Sequence, residues 1–79
     1  GVVDCLFIDS DGKAVLVDYK TDRLSPEEMQ DKALAAKKLI SRHGDQLYTY
    51  RDMCAEMLGR DIDRLLIYSL ALGDIIELT

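Results

Sequence analysis

Residues 14–20, with the sequence AVLVDYK, decide the fold of this chain. Apolar side chains stand at odd and even positions of the run, so a strand formed from it is apolar on both faces. Strands of this kind lie inside sheets that are covered on both faces. We therefore expect residues 14–19 to form an inner strand of a sheet with two covered faces.

The residues before this run predict a β-hairpin. Residues 2–8, VVDCLFI, are rich in β-branched and aromatic side chains, and the polar cluster DSDG follows at residues 9–12. Two strand-like runs joined by a short polar loop are typical of a hairpin. The first two strands are thus expected to be antiparallel neighbours.

Two helices are expected after the hairpin. The sequence SPEE at residues 25–28 offers a serine cap, a proline suited to the first helical position and a glutamate that completes a capping box. Apolar residues then recur at helical spacing. We expect this helix to end at residues 42–44, with Gly44 as its stop, and a second helix to run from Asp45 to Gly59.

The remaining residues predict two further strands, LLIYSLAL at residues 65–72 and a short one at residues 75–78. The order is then β-β-α-α-β-β. The connection through the helices is long enough for a right-handed crossover between parallel strands. We expect an α/β fold with a mixed sheet flanked by helices.

Length and composition limit the class of protein. The chain has 79 residues, of which 48% are hydrophobic, and it carries 15 acidic and 10 basic residues for a net charge of −5. One small domain is expected, and bulk charge argues against a protein that binds nucleic acid unaided. No apolar run approaches the roughly 20 residues of a membrane helix, and the first residues lack the features of a signal peptide. We expect a cytoplasmic protein without a membrane partner, and the start at Gly1 rather than Met predicts a piece of a longer chain.

The two cysteines, Cys5 and Cys54, are far apart in sequence and lie in apolar patterns. Two thiols cannot complete a structural zinc site or hold an iron–sulfur cluster on their own. We expect both to be free, packed thiols.

Three charged residues stand where the strands should be apolar. Asp4 lies inside the first strand, and Asp18 and Lys20 end the second, on one face because they are two residues apart. An ion pair at a strand end would explain Asp18 and Lys20 alone. Asp4 on the neighbouring strand favours a different hypothesis, in which two adjacent carboxylates hold Mg²⁺ and the lysine stabilises charge on a phosphate.

These residues belong to a pattern that resembles a known family. The sequences GVVD at residues 1–4, VLVDYKTD at residues 15–22 and QLYTY at residues 46–50 resemble the RecB-like branch of the PD-(D/E)XK nucleases. The sequence LVDYKTDR at residues 16–23 is most similar to the C-terminal nuclease domains of the AddA subunits of bacterial AddAB helicase-nucleases. The resemblance implies a restriction-endonuclease-like fold, truncated at its N-terminus.

The resemblance also implies a role for each motif residue. Asp4 and Asp18 would be carboxylate ligands of Mg²⁺, or of Mn²⁺, and the main-chain carbonyl of Tyr19 a further ligand. Lys20 would be the catalytic lysine. Gln46 and Tyr50, four residues apart on one helical face, would position Lys20 or the DNA backbone.

Some of these residues have ordinary structural explanations, which stay open here. Tyr50 is equally typical of a core aromatic, and Tyr48 of helix packing. Asp22 is expected either to orient Lys20 or to belong to a polar turn. The basic residues of the first helix are expected to form a solvated face, with phosphate contact as the alternative: Lys32, Lys37, Lys38 and Arg42.

The chain departs from the family pattern in two respects. The family usually has a helix with a metal-binding His before the first motif, and the only His here, His43, is expected to be a solvated residue at a helix end. The AddB subunits and Cas4 nucleases bind an iron–sulfur cluster through four cysteines, which this piece lacks. Weak or no activity is therefore expected of the 79 residues alone.

The resemblance implies a Mg²⁺-dependent exodeoxyribonuclease module in double-strand break repair and recombination. Its partners would be DNA, the helicase portion of the same parent chain and an AddB-like second subunit. Two alternatives stay open: a non-catalytic DNA-binding or docking module with the same fold, and a Cas4-like or phage exonuclease.

Overall fold

The computed structural model describes residues 4–78, and for Asp4 the backbone alone. Its elements follow in the order β-β-α-α-β-β: β1 Asp4–Ile8, β2 Ala14–Lys20, α1 Pro26–Gln30, α2 Lys32–Leu58, β3 Arg64–Ser69 and β4 Asp74–Glu77. Residues 2 and 3 of the expected first strand lie outside the described residues.

The strands form one sheet in the order β1-β2-β3-β4. β1 and β2 are antiparallel, β2 and β3 are parallel, and β3 and β4 are antiparallel. The parallel pair is joined through the helices, as a crossover requires. The prediction of an α/β fold with a mixed sheet is confirmed, with β2 inside the sheet.

The hairpin and the first helix form by local hydrogen bonds. Asp9 Oδ1 accepts from the backbone N–H groups of Asp11 and Lys13, and Gly12 takes the positive φ of 78° that closes the turn. The expected capping box is present: Ser25 Oγ accepts from the N–H of Glu28, whose carboxylate accepts from the N–H of Ser25.

The predicted helix boundary at Gly44 is wrong. α2 is one helix of 27 residues that passes through Gly44, and the break lies earlier, at Asp31, whose Oδ1 accepts from two N–H groups of the first turn. Gly44 is buried, and a Cβ there would lie 3.3 Å from the Cγ2 of Ile40. Buried Leu39 and Leu47 on either side fix the helix to the sheet, and this burial outweighs the cost of about 1 kcal/mol for a helical glycine. The expected stop at Gly59 is confirmed, with φ of 68°.

The core lies mainly between α2 and one face of the sheet. It is a cluster of buried side chains from both layers, including Leu16, Leu39, Leu47, Leu65 and Ile67. On the other face Val15, Val17 and Leu66 are buried by strand side chains, among them Cys5, Tyr19 and Tyr68. The expected second covering layer is therefore not found in the described part of the chain.

The two thiols lie on opposite faces of the sheet. Cys54 belongs to the cluster under α2 and Cys5 to the cluster on the other face, and both are free, as expected. Within residues 4–78, neither α1 nor α2 has the uninterrupted apolar length that spanning a bilayer requires.

A proline substitution tests the continuity of α2. Gly44→Pro removes a helical hydrogen bond and adds a steric clash, so it should lower the free energy of unfolding by about 3 kcal/mol or more. Lys32→Pro is the control. Residue 32 is the first residue of α2, directly after the extended cap Asp31, so its N–H makes no hydrogen bond within the helix and proline removes none. We expect this control to stay within about 1 kcal/mol of the unsubstituted chain in urea unfolding. Equal stability of the two variants would contradict a continuous helix.

Candidate active site

Asp18 and Lys20 form an ion pair on the face of β2 that α2 covers. Asp18 Oδ2 lies 2.8 Å from Lys20 Nζ, and the side chains are 6% and 18% exposed. A buried carboxylate is costly unless a cation or hydrogen-bond donors compensate it. The ion pair expected as the simple explanation is therefore present, and it also places an ammonium group beside a candidate metal ligand.

Asp4 lies directly opposite Asp18 in the antiparallel pair of β1 and β2. The carbonyls of Ala14 and Lys20 accept hydrogen bonds from Asp63 and Leu70, which flank β3, so the even-numbered residues of β2 turn their backbone toward β3. Asp18 and Asp4 are thus a non-hydrogen-bonded pair, the arrangement that brings opposite Cα atoms to about 4.5 Å. The side chain of Asp4 lies outside the described part of the structure.

Tyr19 turns its phenol away from Asp18. Its ring contacts Tyr68 edge to face, with centroids 5.7 Å apart, on the sheet face that α2 does not cover. Because backbone groups alternate along a strand, its carbonyl points toward β1. The carbonyl expected as a ligand is therefore on the same side of β2 as Asp4.

Gln46 and Tyr50 lie one turn apart on α2, and both are exposed. Tyr50 is 37% exposed, so it is not a fully buried core aromatic. Tyr48, by contrast, packs against the core and lies under the guanidinium of Arg51, which confirms its role in packing. The structure thus brings Asp18 and Lys20 together and places Gln46 and Tyr50 on α2, the helix that covers this face of the sheet.

The structure overturns the expectation for His43. This residue lies inside α2, its side chain is 20% exposed, and its Nε2 is 2.9 Å from Oδ2 of Asp22. Arg42 donates to the same oxygen at 3.0 Å. His43 is therefore not a solvated helix end, because α2 continues past it and Asp22 covers it.

Asp22 is turned to α2, and Lys20 is not among its described partners. Burial alone would raise the pKa of Asp22, but the hydrogen bond from His43 and the nearby charges of His43 and Arg42 outweigh it and hold that pKa below its ordinary value. No sequence pattern indicates this contact, since Asp22 and His43 are 21 residues apart.

Most basic residues of α2 form ion pairs with acidic residues of the chain. Lys32 pairs with Asp74, Lys38 with Glu28 and Arg42 with Asp22, at distances between 3.0 and 3.1 Å. These pairs account for three of the four basic side chains for which a solvated face was expected, and they leave little free positive charge to attract a phosphate.

The donors at this end of β2 fit Mg²⁺ in chemical type. A carboxylate and a backbone carbonyl are oxygen ligands, and Mg²⁺ commonly keeps several waters beside one or two carboxylates. The described side chains, which do not include that of Asp4, contain no group of three His, Cys, Asp or Glu that could hold a metal. A second carboxylate would have to come from Asp4.

Fold and site together define a small α/β domain with an acidic residue and a lysine paired at the end of an inner strand. No protein-family profile matches the chain. It is 37% identical over 68 residues, 86% of its length, to the AddA subunit of the ATP-dependent helicase/nuclease of Lysinibacillus sphaericus, of which these residues make up 5%. It is 38% identical over 78 residues, 99% of its length, to the AddA protein of Exiguobacterium sibiricum, covering 6% of that protein.

A third relative, the AddA protein of Geobacillus kaustophilus, is 35% identical over 69 residues, 87% of this chain and 6% of the relative. The chain thus spans about a twentieth of the length of the curated relatives it matches. The resemblance to AddA is confirmed as sequence similarity to a short region of these proteins. The nuclease motif and its residue roles stay predictions.

The contact between Asp22 and His43 predicts a dependence of stability on pH. Because the pKa of Asp22 is lower in the folded chain than its ordinary value of 3.8, its ionised form stabilises the fold above that value, and the effect is lost as the pH falls through the lower folded pKa. Asp22→Asn should therefore lower the free energy of unfolding by about 2 kcal/mol at pH 7. The difference should shrink as the pH falls below 3.8 and through the lower folded pKa.

Asp52→Asn is the matched control, because the Asp52 side chain is 70% exposed beside Arg51. We expect it to change stability by less than about 0.5 kcal/mol at either pH. Urea unfolding at both pH values measures the four differences. A loss for Asp22→Asn that is the same at both values would contradict the assignment.

Proposed function

We propose that this chain is the Mg²⁺-dependent nuclease module of a bacterial helicase-nuclease, and that it hydrolyses phosphodiester bonds as an exodeoxyribonuclease in double-strand break repair and recombination. The observation that carries the proposal is the ion pair of buried Asp18 with half-buried Lys20 at the end of β2, with Asp4 opposite Asp18. The similarity to ATP-dependent helicase/nuclease subunits supports it. We place the parent protein in the cytoplasm.

In the proposed reaction Asp18 and Asp4 hold the metal ion, with the carbonyl of Tyr19 as a further ligand. Bound Mg²⁺, or Mn²⁺, supplies Lewis acidity toward the phosphate and lowers the pKa of water. The ammonium of Lys20, 2.8 Å from Asp18, donates to the phosphate as negative charge builds on it.

Gln46 and Tyr50 are proposed to orient the DNA backbone or Lys20. An amide and a phenol both donate hydrogen bonds, and one helical turn separates the two side chains. Their exposure on α2 leaves them accessible to a bound strand. We assign them to positioning because Mg²⁺ is usually bound through carboxylates, and neither side chain is one.

The net charge of the chain supports a proposal in which another part of the parent protein binds DNA and this module cleaves it. A net charge of −5, and basic side chains that are paired internally, give weak attraction to DNA. We propose that the helicase portion of the same polypeptide feeds strands to this module. An AddB-like second subunit is the proposed protein partner.

The alternative is a docking module of the same fold that performs no chemistry. One observation favours this alternative: Lys20 already compensates the carboxylate of Asp18, so Asp18 does not require a metal ion as a partner. Calorimetric titration with Mn²⁺ discriminates, because a docking module should bind no Mn²⁺ in a manner that depends on Asp18.

Substitution of the pair tests the proposed reaction in the polypeptide that carries this chain. Asp18→Ala removes a metal ligand and Lys20→Ala removes the ammonium that stabilises charge on the phosphate, so each should lower DNA cleavage by about 100-fold or more. ATP-driven unwinding by the same preparation should continue, since it does not use this site.

Lys32→Ala is the matched control, because Lys32 also pairs with an aspartate but is 56% exposed and belongs to another part of the fold. Its cleavage rate should stay within about twofold of the unsubstituted protein. Cleavage by Asp18→Ala or Lys20→Ala at the rate of this control would refute the proposed function.

A further inference from the structure

The segment that follows β2 is attached to α2 at two places. Lys38 Nζ donates to the carbonyl of Arg23 and to Oε1 of Glu28, each at 3.1 Å. The second attachment is Asp22, which accepts from Arg42 and His43. The segment between β2 and α1 is thus held by Lys38 at one place and by Arg42 and His43 at the other.

In the contact between His43 and Asp22, the donor and the acceptor of the hydrogen bond can be assigned. An ionised carboxylate only accepts hydrogen bonds, so Nε2 of His43 carries the hydrogen that points to Asp22. The two side chains are 20% and 15% exposed, so water competes little for this contact. It therefore fixes the orientation of the imidazole and the position of Asp22 together.

The contact joins the two parts of the candidate site. Asp22 follows Lys20 by two residues, while His43 precedes Gln46 by three and Tyr50 by seven. Residues at these helical spacings lie along one side of α2. The contact thus connects the chain just after Lys20 with the side of the helix that carries Gln46 and Tyr50.

We infer that Asp22 and His43 are positioning residues, whose contact holds the Lys20 end of β2 in place relative to Gln46 and Tyr50. The inference rests on the nuclease function proposed above and adds two residues to which that proposal gives no role. They act through Lys20 and do not touch the DNA. A displacement of about 1 Å at a reacting group can lower a rate by about 100-fold, so such a contact affects turnover more than substrate binding.

Two substitutions of His43 separate positioning from general packing. The amide nitrogen of His43→Gln reaches the position of Nε2 and keeps a donor to Asp22, whereas the shorter amide of His43→Asn does not. Both are measured on single-stranded DNA in the polypeptide that carries this chain, with kcat and KM determined separately. We expect His43→Asn to lower kcat by about tenfold with KM within about twofold, and His43→Gln to recover kcat to within about threefold.

Lys38→Met is the control for loss of the other attachment, and its kcat should stay within about twofold of the unsubstituted protein. Equal kcat for the Asn and Gln variants, or an effect on KM alone, overturns the inference. Urea unfolding checks that each variant is folded. If His43→Asn does not fold, Asp22→Asn takes its place, and an unchanged kcat for that variant overturns the inference equally.

The proposed function is judged separately, by Asp18→Ala. Cleavage that depends on Asp18 but is unaffected by His43→Asn refutes the positioning role alone. Cleavage that is unaffected by Asp18→Ala refutes both the nuclease function and the positioning role that rests on it.

Discussion

Asp18 is an acidic residue that is only 4% exposed to solvent. It lies near the end of β2, and the four residues before it in the strand are buried and apolar. A carboxylate in that position needs a cation, and the strand alternation supplies one by placing Lys20 on the same face, 2.8 Å away. The register of the hairpin then sets Asp4 opposite Asp18. The hairpin and the inner strand β2 therefore bring together, around buried Asp18, the residues proposed to bind the metal ion and the phosphate.

The segment that follows β2, residues 21–28, is held against α2 by hydrogen bonds and ion pairs. Lys38 and Arg42 on α2 hold it through Asp22, Arg23 and Glu28, so both cations are paired with acidic residues of the chain. The same pairing leaves an acidic surface with weak attraction for nucleic acid. An acidic surface and a candidate nuclease site are compatible if another part of the parent protein delivers the DNA strand.

The sequence predicted correctly those features of the fold whose interacting residues are close together in the chain. The turn at Gly12, the capping box at Ser25 and the stop at Gly59 each involve residues a few positions apart. The boundary at Gly44 was wrong because a glycine that ends a helix usually takes a positive φ, as Gly59 does. Gly44 instead keeps helical geometry, and the buried residues Leu39 and Leu47 before and after it pack in the core. The contact of His43 with Asp22 spans 21 residues, and no spacing rule predicts such a pair.

The central claim is that the ends of β1 and β2 form a site for a divalent cation, and paramagnetic broadening by Mn²⁺ tests it most directly. In an amide NMR spectrum of the chain, added Mn²⁺ should broaden the signals of Asp18, Tyr19 and their neighbours on β1 first, and Asp18→Ala should abolish this effect. Broadening that begins instead at acidic residues elsewhere in the chain, such as Asp63, or that is unchanged by Asp18→Ala, would contradict the account.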